Sequence, residues 1–304
     1  MSKLLTIGGS GFLSGTVARE ALRDGHEVWT ITRGQRPLPA GVKGVIADRK
    51  DRPAFADAVR KTEGSWDLVI DCIGFNADDA RQDVECFVGR TKHLVFISTD
   101  FVLSPFDRPW KVDETYDRFH DSPYATGKRG AEEVLLDAAN RSHDTMITIL
   151  RPGHIYGPGS LLGCLPLHGR DKGLVKHLLD GRPLSLVGGG YFLQSPVFAA
   201  DLYRMAMSYL GKPQTHGQIY FAPGPDIVES RVFYRIVADV LGTKSPQIDE
   251  VRVSDFLRES PDRASFCSHR VYSTEKAALH GLTIPATPLR AGLKEHVESI
   301  VQST

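Results

Sequence analysis

The sequence predicts an α/β protein: a doubly wound parallel sheet followed by a smaller C-terminal substrate-binding lobe. Three observations predict it. Short Val/Ile/Leu-rich runs alternate with helix-patterned segments through the first half of the chain. Those runs show little alternation of apolar and polar residues, as expected of strands covered on both faces. Beyond Gly153 the repetition gives way to text punctuated by Gly and Pro: GPGSLLG, DGRPLSLVGGG and FAPGPD.

Taken in order, the strand KLLTIGG leads into the helical FLSGTVAREALRDG, and HEVWTIT runs into a loop. VKGVIA precedes RPAFADAVRK, and WDLVIDCIG precedes ADDARQDVECFVG. HLVFIST is followed by a loop and then by YATGKRGAEEVLLDAANR, after which TMITILR closes the repetition; a clear helix, ADLYRMAMSYLG, lies further on. We therefore expect residues 1–156 to form the first domain, with 197–222 returning to it, and residues 157–196 and 223–304 to form the second lobe. There is no internal repeat, low-complexity tract or long linker.

The 304 residues can bury a full core, with 37 Lys plus Arg balanced by 37 Asp plus Glu. No general field draws such a chain to nucleic acid or to an anionic membrane, so any anion site must be local. The four cysteines (Cys72, Cys86, Cys164, Cys267) form no CxxC pair, and no histidine sits at metal-ligand spacing. Neither a disulfide framework nor a metal site is suggested. No signal-peptide core opens the chain and no apolar run approaches membrane-spanning length, so we expect a cytoplasmic protein.

The string TIGGSGFLSG follows the first strand and opens the first helix. In that context Gly8 and Gly11 make a tight turn and let the backbone approach a pyrophosphate on the helix N-terminus, where free N–H groups favour negative charge. The third glycine of the usual spacing is replaced by Ser14, beside Gly15. The second strand ends ITRGQR, with Arg33 and Arg36 where a 2′-hydroxyl site wants an acid. This favours NADP(H), with NAD(H) as the alternative cofactor. Asp48 and Arg49, after the third strand, either flank the adenine or cap the next helix.

Tyr124 and Lys128 lie one turn apart at the start of a helix, so the ammonium is expected near the phenol, lowering its pKa toward the working pH. In a doubly wound sheet the ligand crevice lies at the carboxyl ends of the strands, where ISTDFVLSP (97–105) also ends. Thr99 can then hydrogen-bond the substrate oxygen that Tyr124 protonates.

GGSGFLS, ISTDFV, YATGK and LRPGHIYGPG, in that order, resemble the extended short-chain dehydrogenase/reductases, the NAD-dependent epimerase/dehydratase superfamily of nucleotide-sugar epimerases, dehydratases and ketoreductases. The likeness covers most of the chain and implies a Rossmann sheet. It implies Thr99 as the substrate-positioning hydroxyl, Tyr124 as general acid/base and Lys128 as the residue holding the nicotinamide ribose. Phe12, Leu13, Ile73 and Gly74 are implied at the dinucleotide, and Pro152, His154 and Ile155 beside the nicotinamide. Family 4,6-dehydratases carry Thr-Asp-Glu where this chain has Thr99, Asp100, Phe101, so dehydration is disfavoured. The segment is instead similar to the dTDP-dehydrorhamnose reductase branch, implying reduction of a sugar or nucleotide-sugar carbonyl. Gln194 stands where many relatives carry an arginine that grips a diphosphate; Arg170, Lys172, Arg263 or Arg270 are candidate replacements, each otherwise an ordinary surface charge, and Asp100 is a candidate substrate contact. The alternatives are a nucleotide-sugar epimerase with bound NAD(P), or an RNA-binding or regulatory homologue. The neutral charge argues against nucleic acid as a partner. Many relatives dimerise through the helices following Cys72 and bearing Tyr124, so a homodimer is expected.

Overall fold

In the computed structural model, which describes residues 1–62 and 64–302, the first part of the chain runs β1 (Lys3–Ile7), α1 (Phe12–Arg23), β2 (Glu27–Thr32), β3 (Lys43–Ile46), α2 (Arg52–Arg60), β4 (Trp66–Asp71) and α3 (Ala77–Phe87). It continues through β5 (Thr91–Ile97), α4 (Pro123–Arg141) and β6 (Met146–Pro152). Then come β7 (Ile155–Tyr156), α5 (Leu174–Leu179), β8 (Leu184–Val187), β9 (Leu193–Gln194), β10 (Val197–Phe198), α6 (Ala199–Met207) and β11 (Gln218–Ala222). The last part holds β12 (Val228–Glu229), α7 (Ser230–Val240), β13 (Ile248–Val251), α8 (Val253–Glu259), α9 (Glu275–Leu279) and α10 (Leu289–Val301).

Seven strands form one parallel sheet in the order β3-β2-β1-β4-β5-β6-β11. Successive strand residues feed opposite cores: Leu4 packs with Val17, Leu202 and Tyr203 on one face, whereas Leu5 packs with Phe55, Phe87 and Leu135 on the other. Burial on both faces explains why the strands read as continuous apolar runs. Strand order reverses between β1 and β4, which opens a crevice at their carboxyl ends. A third core gathers Leu162, Leu174, Phe233, Tyr234 and Leu293 with Tyr156 and Phe198. No helix among the described residues is long and apolar enough to cross a membrane.

Helix α4 begins at Ser122, whose hydroxyl accepts from the Ala125 N–H, with Pro123 at the first helical position. Its position against the sheet is set by a buried carboxylate. Glu132 accepts a fork from Arg151 of β6 (Nε–Oε1 2.8 Å, Nη2–Oε2 2.6 Å) and the hydroxyl of Ser98 at 2.6 Å. All three side chains are buried, so removing the acid strands a guanidinium away from water. We predict that Glu132→Ala lowers the unfolding free energy by about 3–5 kcal/mol in a urea titration. A loss under about 1 kcal/mol would show that the network does not fix the helix.

Candidate active site

The turn after β1 is shaped by contacts that only glycine permits at two positions. Gly8 has φ +115°, and a Cβ there would lie 2.7 Å from the Ile73 side chain; one on Gly9 would lie 2.3 Å from Thr30. Gly11 is the N-cap of α1 and has no side chain to offer; its N–H donates instead to the Ser14 hydroxyl at 3.2 Å. Ser14 is thus accommodated as a buried cap. The free helix N-terminus faces a cleft of about 760 Å³.

Gly8, Gly11, Arg33, Asp48, Arg49 and Ile73 all border that cleft. Arg36, Lys50 and Arg52 add positive charge to its rim. Asp48 accepts from the Lys50 N–H, while the cap of α2 is Asp51, accepting from the Ala54 N–H at 3.1 Å. Phe12 and Leu13 do not border it; Leu13 packs on the core.

Arg49 departs from the expectation that it flanks the adenine. Its guanidinium turns inward, to Asp71 at 2.8 Å and Asp83 at 2.6 Å. Burial works against the Asp71 charge, but Arg49 and hydrogen bonds hold that carboxyl below its usual range. Burial and repulsion from Asp71 push Asp83 well above its own. A proton on Asp83 also gives a partner to its otherwise unbonded Oδ2. Asp71 in turn accepts the N–H groups of Ile73 (2.8 Å) and Gly74 (2.9 Å), so this cluster shapes the turn after β4. A Cβ on Gly74 would fall 2.2 Å from Asp71 Oδ2.

A second pocket of about 320 Å³ opens beside the first, at the end of β5. Ser98, Thr99, Asp100, Tyr124, Pro152, His154, Ile155 and Arg270 are among its lining. Here three consecutive residues meet three successive turns of α4. Ile97 accepts the Lys128 ammonium at 2.8 Å, Ser98 donates to Glu132, and Thr99 lines the same pocket as Tyr124, near enough to favour the charged form of its phenol. The Thr99 hydroxyl also accepts the Phe101 N–H at 3.2 Å, so the polar strand end serves both as a turn cap and as part of the pocket.

The electrostatics differ from expectation. Burial of the hydroxyl end, and then the Asp100 charge, raise the Tyr124 pKa against the opposing effects of Thr99 and Arg170. Lys128 does not lower it, because its ammonium is drawn to the Ile97 carbonyl and over the rings of Phe96 (4.8 Å) and Phe75 (5.1 Å). Desolvation lowers Lys128 itself to about 8, despite the nearby charge of Asp71. Burial, with Arg270 and Arg170 nearby, keeps His154 neutral.

Asp100 and Arg270, both expected to meet substrate, are paired with each other. Arg270 Nε lies 2.7 Å from Asp100 Oδ2, and the Tyr272 hydroxyl donates to the same oxygen at 2.8 Å. This buried group ties the C-terminal segment to the end of β5. Gln194 does not project an amide into the pocket; its Nε2 donates to Cys164 Sγ at 2.9 Å.

Residues 4–221 match the family described as NAD dependent epimerase/dehydratase. The chain belongs to that family. A 41 kDa chloroplast stem-loop binding protein b from Arabidopsis thaliana is 22% identical over 295 residues, covering 92% of this chain and 74% of the relative. A 2-alkyl-3-oxoalkanoate reductase from Stenotrophomonas maltophilia is 30% identical over 210 residues, 62% of this chain and 59% of the relative. Among solved structures, a UDP-glucose 4-epimerase from Thermotoga maritima, determined with UDP-glucose, superposes with a TM-score of 0.78 at 17% identity, covering 99% of each chain. The epimerase/dehydratase fold is thus shared by the whole chain.

Within this epimerase/dehydratase scaffold, sequence reasoning missed Gly9, Glu132 and Phe75. Glu132 was detectable: Tyr124, Lys128 and Glu132 stand at i, i+4 and i+8, one face of a helix. The contacts of Gly9 and Phe75 are made across the fold and leave no local signature. We predict that ¹³C,¹⁵N-lysine NMR on the protein without added ligand shows one amine titrating near pH 8, absent in Lys128→Met. The sign is fixed by linkage: unfolded lysine keeps its proton to about 10.4, so this group makes stability rise with pH across roughly 8 to 10. All amines titrating above about 10 would contradict the burial account.

Proposed function

We propose that the protein is an NADP(H)-dependent reductase of a small polar carbonyl compound. The observation that carries this reading is the meeting of Thr99, Tyr124 and Lys128 at the end of β5, beside a glycine-shaped cleft whose rim carries Arg33 and Arg36. The cleft fits a nicotinamide dinucleotide: Gly8 and Gly9 hold the space a Cβ would fill, and the N-terminus of α1 points free N–H groups into it. Arg33 and Arg36 would hold a 2′-phosphate, and Lys128 the nicotinamide ribose.

When bound, the dinucleotide supplies the hydride. The chain's own residues manage the oxygen. Thr99 orients the carbonyl, and Tyr124 gives its proton to the oxygen as negative charge develops, yielding the alcohol. A raised phenol pKa suits this direction, because Tyr124 then holds its proton at neutral pH. Phe101 leaves no carboxylate where a base for dehydration is wanted.

The substrate follows from what the pocket spends elsewhere. Arg270 is neutralised by Asp100 and the Gln194 amide by Cys164, so neither is free to grip a nucleotide diphosphate. At about 320 Å³ the pocket is also near the lower end of the roughly 300–1,000 Å³ range of ligand sites. A free sugar or keto acid suits it better than a nucleotide-sugar. The family description and the likeness to a UDP-glucose epimerase favour, as a second reading, an epimerase that retains its dinucleotide. The likeness to a stem-loop binding protein is set against an equal count of acidic and basic residues, which gives RNA no general attraction.

We predict that Tyr124→Phe lowers turnover by about 10²–10⁴-fold while NADPH affinity and the unfolding midpoint stay near wild type. Undiminished turnover would reject the assignment of the acid. Arg33→Ala should cost NADPH about tenfold in affinity and leave NADH nearly unchanged, read by fluorescence titration. An equal loss for both dinucleotides would reject the 2′-phosphate contact.

A further inference from the structure

The loop spanning 162–171 forms one wall of the second pocket and is held in an unusual shape. Leu167 (φ +76°) and Arg170 (φ +50°) are both in the left-handed region, which costs a side-chain-bearing residue conformational energy. Their surroundings leave the loop little freedom. The Tyr234 hydroxyl accepts the N–H groups of Cys164 (3.1 Å) and Leu165 (2.9 Å) and donates to the His168 carbonyl at 3.3 Å. A Cβ on Gly163 would lie 1.7 Å from that same carbonyl oxygen. The Arg170 N–H returns to the Gly163 carbonyl at 3.2 Å, and the Asp171 N–H to that of Leu162 at 2.8 Å.

This fixed turn puts the Arg170 guanidinium on the pocket wall, close enough for its charge to act on both Tyr124 and His154. Three guanidiniums line the pocket, those of Arg170, Arg263 and Arg270, against the single carboxylate of Asp100. Asp100 is consumed by Arg270, His154 is neutral, and neither Arg170 nor Arg263 has an ion-pair partner among the described residues. In a chain whose acidic and basic residues balance at 37 each, this is a local positive excess beside the reacting groups. The contacts that pin the loop leave an unpaired, solvent-accessible cation at its end, placed on the pocket wall to meet an anionic ligand.

We infer that Arg170 determines specificity by holding an anionic group of a compact substrate, a carboxylate or a phosphate, while the carbonyl of the same molecule lies at Thr99 and Tyr124. The inference rests on the reductase reading for the place of the carbonyl. A fork of two N–H donors matches either oxyanion. With the anion held at Arg170, the carbonyl is presented to the phenol in one orientation and the neutral analogue is rejected.

The test uses the full chain with NADP⁺ added. Isothermal titration compares short- to medium-chain 3-hydroxyalkanoates with their methyl esters, and inorganic phosphate with UDP, on wild type, Arg170→Gln, Arg170→Lys and Arg170→Gly. The expected result is a carboxylate preference over the ester of about 10- to 100-fold, the worth of a hydrogen bond to a charged group. Arg170→Gln and Arg170→Gly should bring that ratio to near one, and Arg170→Lys should retain part of it. Arg170→Gly also relieves the backbone strain, so it should melt no lower than wild type and separates lost binding from lost folding. The inference is overturned if wild type shows no carboxylate preference, if Arg170→Gln keeps it, or if UDP binds more tightly than every carboxylate and phosphate probe. The reductase reading fails separately: carboxylate preference without NADPH oxidation by the matching 3-oxoalkanoates would leave the anion site standing and remove the reaction. NADPH oxidation by the esters alone would do the reverse.

Discussion

The candidate site depends on one buried carboxylate. Glu132 receives the Arg151 fork from β6 and the Ser98 hydroxyl from the end of β5, and so fixes how far along the sheet α4 sits. A helix rises about 1.5 Å per residue and repeats its face every three to four residues. Once Glu132 is fixed, Lys128 and Tyr124 fall one and two turns nearer the pocket, opposite Ile97 and Thr99. Burying charged and polar groups of this kind contributes little to net stability, because desolvation offsets much of the Coulomb gain. What the network supplies is a single register. A hydrophobic interface would let the helix slide by fractions of an ångström, and proton transfer does not tolerate that.

The dinucleotide side repeats the device with opposite partners. There a buried arginine, Arg49, gathers Asp71 and Asp83, and Asp71 spends its remaining lone pairs on the N–H groups of Ile73 and Gly74. The turn that faces the cleft is thereby held from below, while the glycines of the β1–α1 turn hold it from the other side through the Gly8–Ile73 contact. Asp100 with Arg270 and Tyr272 forms a third buried polar group, tying the C-terminal segment to the end of β5. Arg49 borders the first pocket, and Ser98, Asp100 and Arg270 line the second. Together they leave the exposed polar groups of the two pockets few degrees of freedom of their own.

Much of this was legible in the sequence because it is carried by local pattern. The strand and helix alternation, the glycine turn at 8–11, the Tyr124–Lys128 spacing and the polar strand end at Thr99 all speak through residues close together in the chain. What sequence reading assigned differently involves partners far apart. Arg49 lies 34 residues from Asp83, and Asp100 lies 170 from Arg270; a charged residue near a motif reads as a ligand contact until the fold supplies its counter-ion. Gln194 facing Cys164, 30 residues away, is the same case. The Tyr124 pKa moved opposite to expectation for a related reason: helical spacing placed the lysine near the phenol, but the carbonyl of Ile97 and two aromatic rings, all outside the helix, claimed the ammonium.

The central claim is that Glu132 acts on the chemistry by placing Tyr124. A double-mutant cycle on NADPH oxidation tests it directly, with Glu132→Gln, Tyr124→Phe and the pair, each confirmed folded by its unfolding midpoint. The account predicts that Glu132→Gln slows wild type clearly but slows Tyr124→Phe hardly at all, leaving a coupling energy of at least about 1 kcal/mol. Equal fractional losses in both backgrounds would contradict it, and would mean that the buried carboxylate stabilises the fold without positioning the acid.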